Sequence, residues 1–238
     1  MKPLIVIPSP RDLDRVKLAI DLLPSDKLWI KYYTEIGAYT LMQKEFLKSD
    51  YTHLVLIPDD LVVTPDTYDM FIRDLEEFPD DIVSGYCNVD TRALQGYANV
   101  SIYPVQRERQ GRTYTWLTLA GIHEESRMYR LQTPDKHRTL PEYMIDVTFA
   151  GFPLFGIPRK ILEKINFVND SPTGYTTDGC CVDVTFCYDV RAAGYRILCD
   201  TRLRTAHLKI DDTAVEKFST GIKEPYFRYE YAHRPIEL

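Results

Sequence analysis

The chain has 238 residues, of which 45% are hydrophobic and 27% are charged. These proportions are close to those of an average soluble domain, so we expect neither a disordered chain nor a coiled coil. Acidic residues outnumber basic residues by 35 to 29, which gives a formal net charge of −6 and argues against a nucleic acid as the main partner.

The first 90 residues alternate between short apolar runs and segments with helical spacing. Leu4–Ile7 form an apolar run that ends at Pro8, and the following segment places apolar side chains every three or four positions. This pattern predicts strands at 4–7, 27–33, 53–57 and 82–86, and helices at 12–23, 36–48 and 65–78. Strands and helices in such alternation indicate a parallel sheet with helices on its faces.

After residue 90 the pattern is mixed. We predict strands at 97–105, 112–120, 144–157 and 195–199, a helix that begins at Pro158 and a longer helix at 181–193. No repeat, low-complexity tract or flexible linker divides the chain. We therefore expect one α/β domain over 1–238, with a nucleotide-binding half at 1–90, a second half at 91–210 for another ligand and a C-terminal tail at 211–238.

The segment 104–138 is basic, with seven basic residues against four acidic ones. Such a segment suits a mobile loop over a diphosphate or a site for an anionic acceptor. A solvated loop is the simpler interpretation, and it is the one we predict.

Neither a membrane span nor a disulfide framework is expected. No run approaches the roughly 20 apolar residues that cross a bilayer, and the N-terminus becomes charged too early for a signal peptide. The five cysteines are an odd number without a Cys-x-x-Cys pair, which favours small, buried, reduced thiols. We expect a cytoplasmic protein without a transmembrane segment.

Three common catalytic motifs do not occur. No G-x-G-x-x-G follows the first strand and no G-x-S-x-G nucleophile elbow is found. Gly151 and Gly156 have the outer spacing of a P-loop, but Ile157 and Pro158 replace its Lys-Ser/Thr pair. These observations argue against a dinucleotide dehydrogenase, a P-loop phosphate site and a serine hydrolase of the nucleophile-elbow type.

The strongest chemical feature is the segment His53–Leu61, in which an apolar strand ends in Asp59 and Asp60. The carboxyl ends of parallel strands line the crevice in which such sheets bind ligands. Carboxylates there are the ligands that Mg²⁺ or Mn²⁺ prefers, and such a cation can hold a diphosphate. The alternative is an acidic N-cap for the helix that begins near Pro65.

Three later features carry weaker signals. In 146–162 a glycine among apolar residues precedes Arg159 and Lys160, which favours close backbone approach to a ligand, with a buried strand and tight turn as the alternative. Asp183 lies at the start of the predicted helix 181–193, as a functional carboxylate or as a cap. His207 follows the last predicted strand and, by itself, is also compatible with a surface or core histidine.

In this order the features resemble the nucleotide-sugar-dependent glycosyltransferases of the GT-A fold. That family has a nucleotide-binding βαβ half, an Asp-x-Asp metal motif, a glycine-containing strand that leads to Arg and a helix, a Glu-Asp helix start and a late histidine. The resemblance covers most of residues 3–208. It implies a GT-A-like single domain with a mostly parallel central sheet flanked by helices and a mixed half on the acceptor side.

The resemblance also implies a metal site. Asp60 matches the last carboxylate of the Asp-x-Asp motif, which is expected on the metal, and Asp59 occupies the middle position. Pro58 stands where the first aspartate is found in the family. His207 matches the late histidine, which implies a further metal ligand beside Asp60.

The general base and the nucleotide contacts are assigned in the same way. Asp183 matches the aspartate of the Glu-Asp pair, the general base of inverting members, while Val182 replaces the glutamate. Gly151 matches the glycine of the strand that approaches the ligand. The residues expected to contact the nucleotide are Pro8, Ser9, Arg11, Tyr33 and Glu35.

The resemblance therefore implies an inverting, Mn²⁺- or Mg²⁺-dependent transfer of a sugar from a nucleotide-diphosphate donor to a carbohydrate, lipid-linked or protein acceptor. One alternative is a sugar nucleotidyltransferase, which needs a glycine-rich basic loop where this chain has Pro8 to Arg11. Another is a non-catalytic carbohydrate-binding relative, for which 17 tyrosines, 10 phenylalanines and 2 tryptophans offer stacking surfaces.

Overall fold

The computed structural model describes residues 1–8, 13–30, 35–87, 98–102, 106–108, 111–113, 122–168 and 182–207. The helices are α1 (Asp14–Asp21), α2 (Glu35–Lys48), α3 (Pro65–Glu77), α4 (Ile122–Gln132), α5 (Pro134–His137), α6 (Arg159–Leu162) and α7 (Val182–Ala192). The strands are β1 (Pro3–Pro8), β2 (Asp26–Ile30), β3 (His53–Leu56), β4 (Leu61–Val62), β5 (Ile82–Cys87), β6 (Val100–Ser101), β7 (Gln106–Glu108), β8 (Gly111–Thr113), β9 (Met144–Val147), β10 (Phe149–Ala150), β11 (Phe155–Pro158) and β12 (Ile197–His207).

The centre of the described structure is an eight-stranded sheet. Its strand order is β2-β1-β3-β11-β5-β12-β4, and β9 pairs with β12. The strands β2, β1, β3, β5 and β12 run in one direction, because β11 lies antiparallel to both β3 and β5 between them. The predicted α/β fold with a mostly parallel central sheet is confirmed, and strands from both halves of the chain share that sheet.

The side chains of β3 and the residue after it show how helices bury both faces of the sheet. Leu54 and Leu56 belong to the apolar cluster that includes α2 and α7, whereas Val55 and Ile57 belong to the cluster that includes α1 and α3. Successive side chains of a strand point to opposite faces. A strand covered on both faces is therefore apolar throughout, which explains the unbroken apolar run in the sequence.

The helix α3 is the amphipathic helix that the sequence predicts. Thr64 is its N-cap and accepts a hydrogen bond from the first turn at 3.2 Å, and Pro65 begins the helix. Phe71 and Leu75 pack closely on the sheet, since a Cβ at Gly156 would lie 2.6 Å from a methyl carbon of Leu75. The glycine in β11 therefore serves helix–sheet packing.

The continuous strand predicted over 144–157 is wrong, because the chain forms β9, β10 and β11 there. The chain turns between β10 and β11, where Phe152 has a φ of 50°. The ring of Phe152 packs against those of Phe155, Phe167 and Phe186. Tertiary packing of this ring fixes a turn within a segment whose hydrophobic pattern is typical of a strand.

Several other predicted boundaries differ from the structure. The helix predicted from Pro158 is the single turn α6, and the last strand continues to His207 instead of ending at residue 199. In the described part of 97–105, β6 covers two residues. Of 112–120 only residues 112 and 113 are described, both lie in β8, and the rest of that strand stays a prediction. The continuation of β12 alternates between buried and exposed side chains, which is typical of a strand with one covered face.

The solvated loop predicted over 104–138 is wrong for the described residues from 122 onward, which form α4 and α5. Arg130 lies half-buried on α4 and stabilises the following turn. Its guanidinium donates hydrogen bonds to the carbonyl oxygens of His137, Leu140, Pro141 and Met144. This basic side chain therefore binds main-chain oxygens within the fold.

Candidate functional site

The strands β3, β5 and β12 run in one direction and end at the same edge of the sheet. After β3 the chain turns through Pro58, Asp59 and Asp60, and Leu61 N donates a hydrogen bond to Pro58 O at 3.1 Å. The next strand, β4, pairs with the end of β12, so that Leu61 lies opposite His207. This pairing brings together Asp60 and His207, which are 147 positions apart in the sequence.

Asp60 and His207 are in direct contact. Nε2 of His207 lies 2.8 Å from Oδ2 of Asp60, and the two side chains are only 14% and 12% exposed, respectively. Burial lowers the pKa of His207, but the charge of Asp60 and hydrogen bonds with Asp60 and Cys87 raise it to about 10. The two groups therefore form an imidazolium–carboxylate pair at neutral pH.

The acidic turn, formed by Asp59 and Asp60, does not provide the N-cap of α3, because Thr64 occupies that position. Asp59 is 1% exposed and lies in the same turn as Asp60. Among the described residues, no three His, Cys, Asp or Glu side chains converge on one metal position. His207 can bind a cation only as the neutral imidazole, so a cation bound here has to displace the Nε2 proton. The pair would then supply one oxygen and one nitrogen, a donor set that suits Mn²⁺ better than Mg²⁺ when phosphate oxygens and water complete the shell.

Cys87, at the end of β5, contacts the other side of the same imidazole. Its Sγ lies 3.7 Å from Nδ1 of His207, whose Nε2 faces Asp60. Because the two ring nitrogens point in different directions, Cys87 orients the ring and does not join Asp60 around a common ion. The sequence shows no signal for this role, since an isolated cysteine has no characteristic spacing.

The expectation of small buried thiols is met by the cysteines that the structure describes. Cys87, Cys187 and Cys199 are all buried and free. Cys180 and Cys181 lie outside the described residues.

Gly151 and Asp183, which come from separate sequence segments, lie side by side. A Cβ added to Gly151 would lie 3.3 Å from Oδ2 of Asp183 and 3.3 Å from Cβ of Asn99. A larger residue would displace one of these neighbours. The close approach predicted at Gly151 is therefore an approach to the candidate base.

Asp183 lies in the first turn of α7, where its Oδ1 accepts a hydrogen bond from Val184 N at 2.8 Å. Burial raises the pKa of Asp183 to about 6, although backbone hydrogen bonds lower it. Such a carboxylate is ionised at neutral pH and is a better proton acceptor than an exposed aspartate. Val182, which replaces the glutamate of the resembled family, is fully buried.

Asn99 joins the residues around Cys87 to those around Gly151. Its Oδ1 accepts a hydrogen bond from Cys87 N at 2.8 Å, and its Nδ2 donates one to Gly151 O at 3.2 Å. The two groups of candidate residues are therefore connected through a single buried amide. Asn99 was not predictable from the sequence, because one asparagine inside a predicted strand indicates no chemistry.

The residues predicted to bind the nucleotide are only partly described. Pro8 ends β1, which is the neighbour of β3 in the sheet, so it lies at the same edge as the acidic turn. Glu35 begins α2, but its side chain lies outside the described part of the structure. Ser9, Arg11 and Tyr33 also lie outside it, and their roles stay predictions.

Arg159 and Lys160 bind protein groups where the sequence favoured a ligand. Lys160 forms an ion pair with Asp80 at the surface. The Arg159 guanidinium donates hydrogen bonds to carbonyl oxygens at the end of α2, those of Phe46, Leu47, Ser49 and Tyr51. The helix start after β11 is therefore a structural connection to α2.

Comparison with known proteins gives a fold and no function. No family model matches the chain, and no curated protein matches it. Among solved structures, A197 from STIV is similar, with a TM-score of 0.54 and 18% sequence identity over 89% of this chain and 87% of that chain. At this identity the likeness shows the fold alone. Within the described residues, every helix is too short or too polar to cross a membrane.

Proposed function

We propose that the chain is a metal-dependent glycosyltransferase that moves a sugar from a nucleotide-diphosphate donor to an acceptor hydroxyl with inversion. The observation that carries this proposal is the 2.8 Å contact between Asp60 and His207 at the edge where the strands end. Asp183 adds a separate carboxylate beside Gly151, which hydrogen bonds through Asn99 connect to Cys87 next to this pair. A cation-binding pair and a base are the two functions that such a transfer needs.

The cation would be Mn²⁺ or Mg²⁺, held by Asp60 and His207, with Asp59 in the same turn. When bound, it neutralises the charge that develops on the leaving diphosphate. Pro58 has no side-chain ligand to offer. The phosphate oxygens of the donor would therefore also bind the cation, so that metal and nucleotide bind together.

Asp183 would accept the proton of the acceptor hydroxyl. As the hydroxyl oxygen forms its bond to the anomeric carbon, the bond from that carbon to the diphosphate breaks and the nucleotide diphosphate leaves. The Val184 N–H holds one carboxylate oxygen of Asp183, and the other oxygen borders Gly151. The acceptor class is a carbohydrate, lipid-linked or protein hydroxyl.

Donor turnover tests the proposal. We expect Asp60→Asn to lower the Mn²⁺-dependent release of nucleotide diphosphate from the sugar donor by roughly 100-fold or more, because the diphosphate loses its cation. Asp69→Asn is the matched control, since it neutralises an exposed carboxylate on α3. Unchanged turnover in Asp60→Asn would contradict the metal assignment.

Asp183→Asn separates the base from the donor site. We expect this variant to bind Mn²⁺ and nucleotide like the unaltered chain while it loses transfer to the acceptor. Loss of both would assign Asp183 a structural role. Binding of a free sugar without binding of any nucleotide would favour the non-catalytic carbohydrate-binding alternative.

A further inference from the structure

The side chain of Asn99 is buried and hydrogen-bonded at both ends of its amide. Asn99 is 1% exposed. Its Oδ1 accepts from Cys87 N at 2.8 Å and its Nδ2 donates to Gly151 O at 3.2 Å. Its backbone N–H also donates to Cys87 O at 3.1 Å, and its carbonyl accepts from Gly151 N at 2.8 Å. One residue therefore connects the end of β5 to the end of β10.

Each residue that Asn99 binds lies beside a reactive group. Sγ of Cys87 lies 3.7 Å from Nδ1 of His207. A Cβ on Gly151 would lie 3.3 Å from Oδ2 of Asp183 and 3.4 Å from Nδ2 of Asn99. The Asn99 amide and the Asp183 carboxylate therefore border the same space beside Gly151.

The amide is chemically specific at this position. Any residue except proline can form the backbone hydrogen bonds, but the side-chain bonds need an acceptor toward Cys87 and a donor toward Gly151. An aspartate cannot donate from the second position, and an alanine provides neither group. Because the site is buried, removal of the amide leaves main-chain groups without these partners, which has a cost in free energy.

We propose that Asn99 is a positioning residue that fixes the separation between the Asp60–His207 pair and Asp183. This inference rests on the proposed glycosyl transfer. In an inverting transfer the leaving diphosphate and the attacking hydroxyl lie on opposite sides of the anomeric carbon. The distance between cation and base must therefore match the span of the reacting atoms, and a displacement of about 1 Å lowers the rate by about 100-fold.

Asn99→Ala tests the proposal against a matched control, Thr148→Ala. Thr148 Oγ1 donates to Ser101 O at 2.8 Å, so this substitution removes a side-chain hydrogen bond in the same β6–β10 region and keeps the bonds of Asn99 with Cys87 and Gly151. We expect Asn99→Ala to lower kcat by roughly 10- to 100-fold, with less than about a 3-fold change in donor KM. Thr148→Ala retains kcat. Equal loss in both variants, or full kcat in Asn99→Ala, overturns the proposal.

Asn99→Asp gives a second test that needs no turnover and preserves the shape of the side chain. Its carboxylate borders Asp183, so we expect the titration of Asp183, followed by ¹³C NMR, to move to higher pH. Cys187, a further titratable group near Asp183, stays protonated because burial raises the pKa of its thiol. If the titration of Asp183 is unchanged in the folded Asn99→Asp variant, residue 99 does not act on Asp183 and the proposal is overturned. Failure of the unaltered chain to bind any nucleotide with Mn²⁺ instead contradicts the proposed function.

Discussion

Burial gives Asp183 a basic character and also lowers the stability of the fold. The pKa of this carboxyl is raised to about 6, so the charged form is disfavoured in the folded chain relative to the unfolded chain. The stability gained from the protonated form is greatest below the ordinary pKa of 3.8 and is lost as the pH rises from there to about 6. Asp183 is therefore a residue at which the proposed activity and stability oppose each other.

Asp183→Asn should raise stability at alkaline pH while it abolishes transfer. The asparagine does not ionise, and its oxygen can still accept the hydrogen bond from Val184 N. We expect a gain in the free energy of unfolding on the order of 2–3 kcal/mol at pH 8, roughly half of that at pH 5 and little change near pH 3. Urea unfolding at these three pH values measures the gain. A variant that is less stable than the unaltered chain at pH 8 would contradict this account.

Two buried carboxylates, Asp74 on α3 and Asp200 in β12, lie beside the same guanidinium. The Arg202 guanidinium contacts Asp200 at 2.6 Å and Asp74 at 3.3 Å, and it stacks 3.3 Å from the ring centroid of Tyr143. Oδ2 of Asp74 is buried and accepts no hydrogen bond from the described residues. Burial and the neighbouring Asp200 raise the pKa of Asp74 to about 8, although Arg202 lowers it. Asp74 therefore carries a proton at neutral pH.

Asp74→Asn should stabilise the chain above pH 8. The unaltered chain loses the stability of its protonated Asp74 as the pH rises from the ordinary pKa of 3.8 to about 8, whereas asparagine does not ionise and can donate toward Asp200. We expect a gain in the free energy of unfolding that is already present at pH 6 and increases by about 2 kcal/mol between pH 6 and pH 9, measured by urea unfolding. Asp200→Asn, which weakens the ion pair with Arg202, should destabilise at both pH values. Constant stability of the unaltered chain between pH 7 and 9 would contradict the prediction.

At the scale of elements, Arg159 connects α6 to the end of α2. Its guanidinium donates four hydrogen bonds to main-chain carbonyls, at distances of 2.7–3.2 Å, and lies over the ring of Phe46. The last carbonyl groups of a helix have no hydrogen-bond donors inside the helix. The Arg159 side chain therefore provides donors for several of these carbonyl groups at once.

Arg159→Ala should destabilise the fold by about 2–3 kcal/mol, because several half-buried carbonyl groups lose charged donors. Lys160→Ala is the matched control, since its ion pair with Asp80 is exposed and contributes less than about 1 kcal/mol. The difference appears as a shift of the urea midpoint. Equal shifts in the two variants would show that Arg159 does not stabilise the end of α2.

The helices and strands of the first half were predictable because their apolar residues follow regular spacings. Residues 36–48, 65–78 and 82–86 match α2, α3 and β5 within one residue at each end. The second half was harder, since the turn at Phe152 depends on contacts with distant aromatic rings. In the sequence, Arg202 and Arg204 alternate with Leu203 and Thr205, a pattern typical of a strand with one covered face, and this pattern extends to the end of β12.

At the scale of the whole molecule, the sheet brings together side chains that are far apart in the sequence. Asp60 and His207 were predictable candidates, because a resembled motif order pointed to each of them separately. Cys87 and Asn99 were not, since their contacts arise only when β5, β10 and β12 end at neighbouring positions. The sequence thus indicated the candidate site residues, whereas the residues that connect them required the fold.

The most direct test of the proposed site is a thermal-shift panel of UDP, GDP, CDP and ADP, each with and without Mn²⁺. A ligand at about 100 times its dissociation constant stabilises the folded chain by roughly 2.7 kcal/mol, a readily measured shift. We predict that one nucleotide raises the melting temperature only with Mn²⁺, that Asp60→Asn abolishes this rise and that Asp69→Asn retains it. No rise with any nucleotide, or an equal rise in Asp60→Asn, would contradict the account.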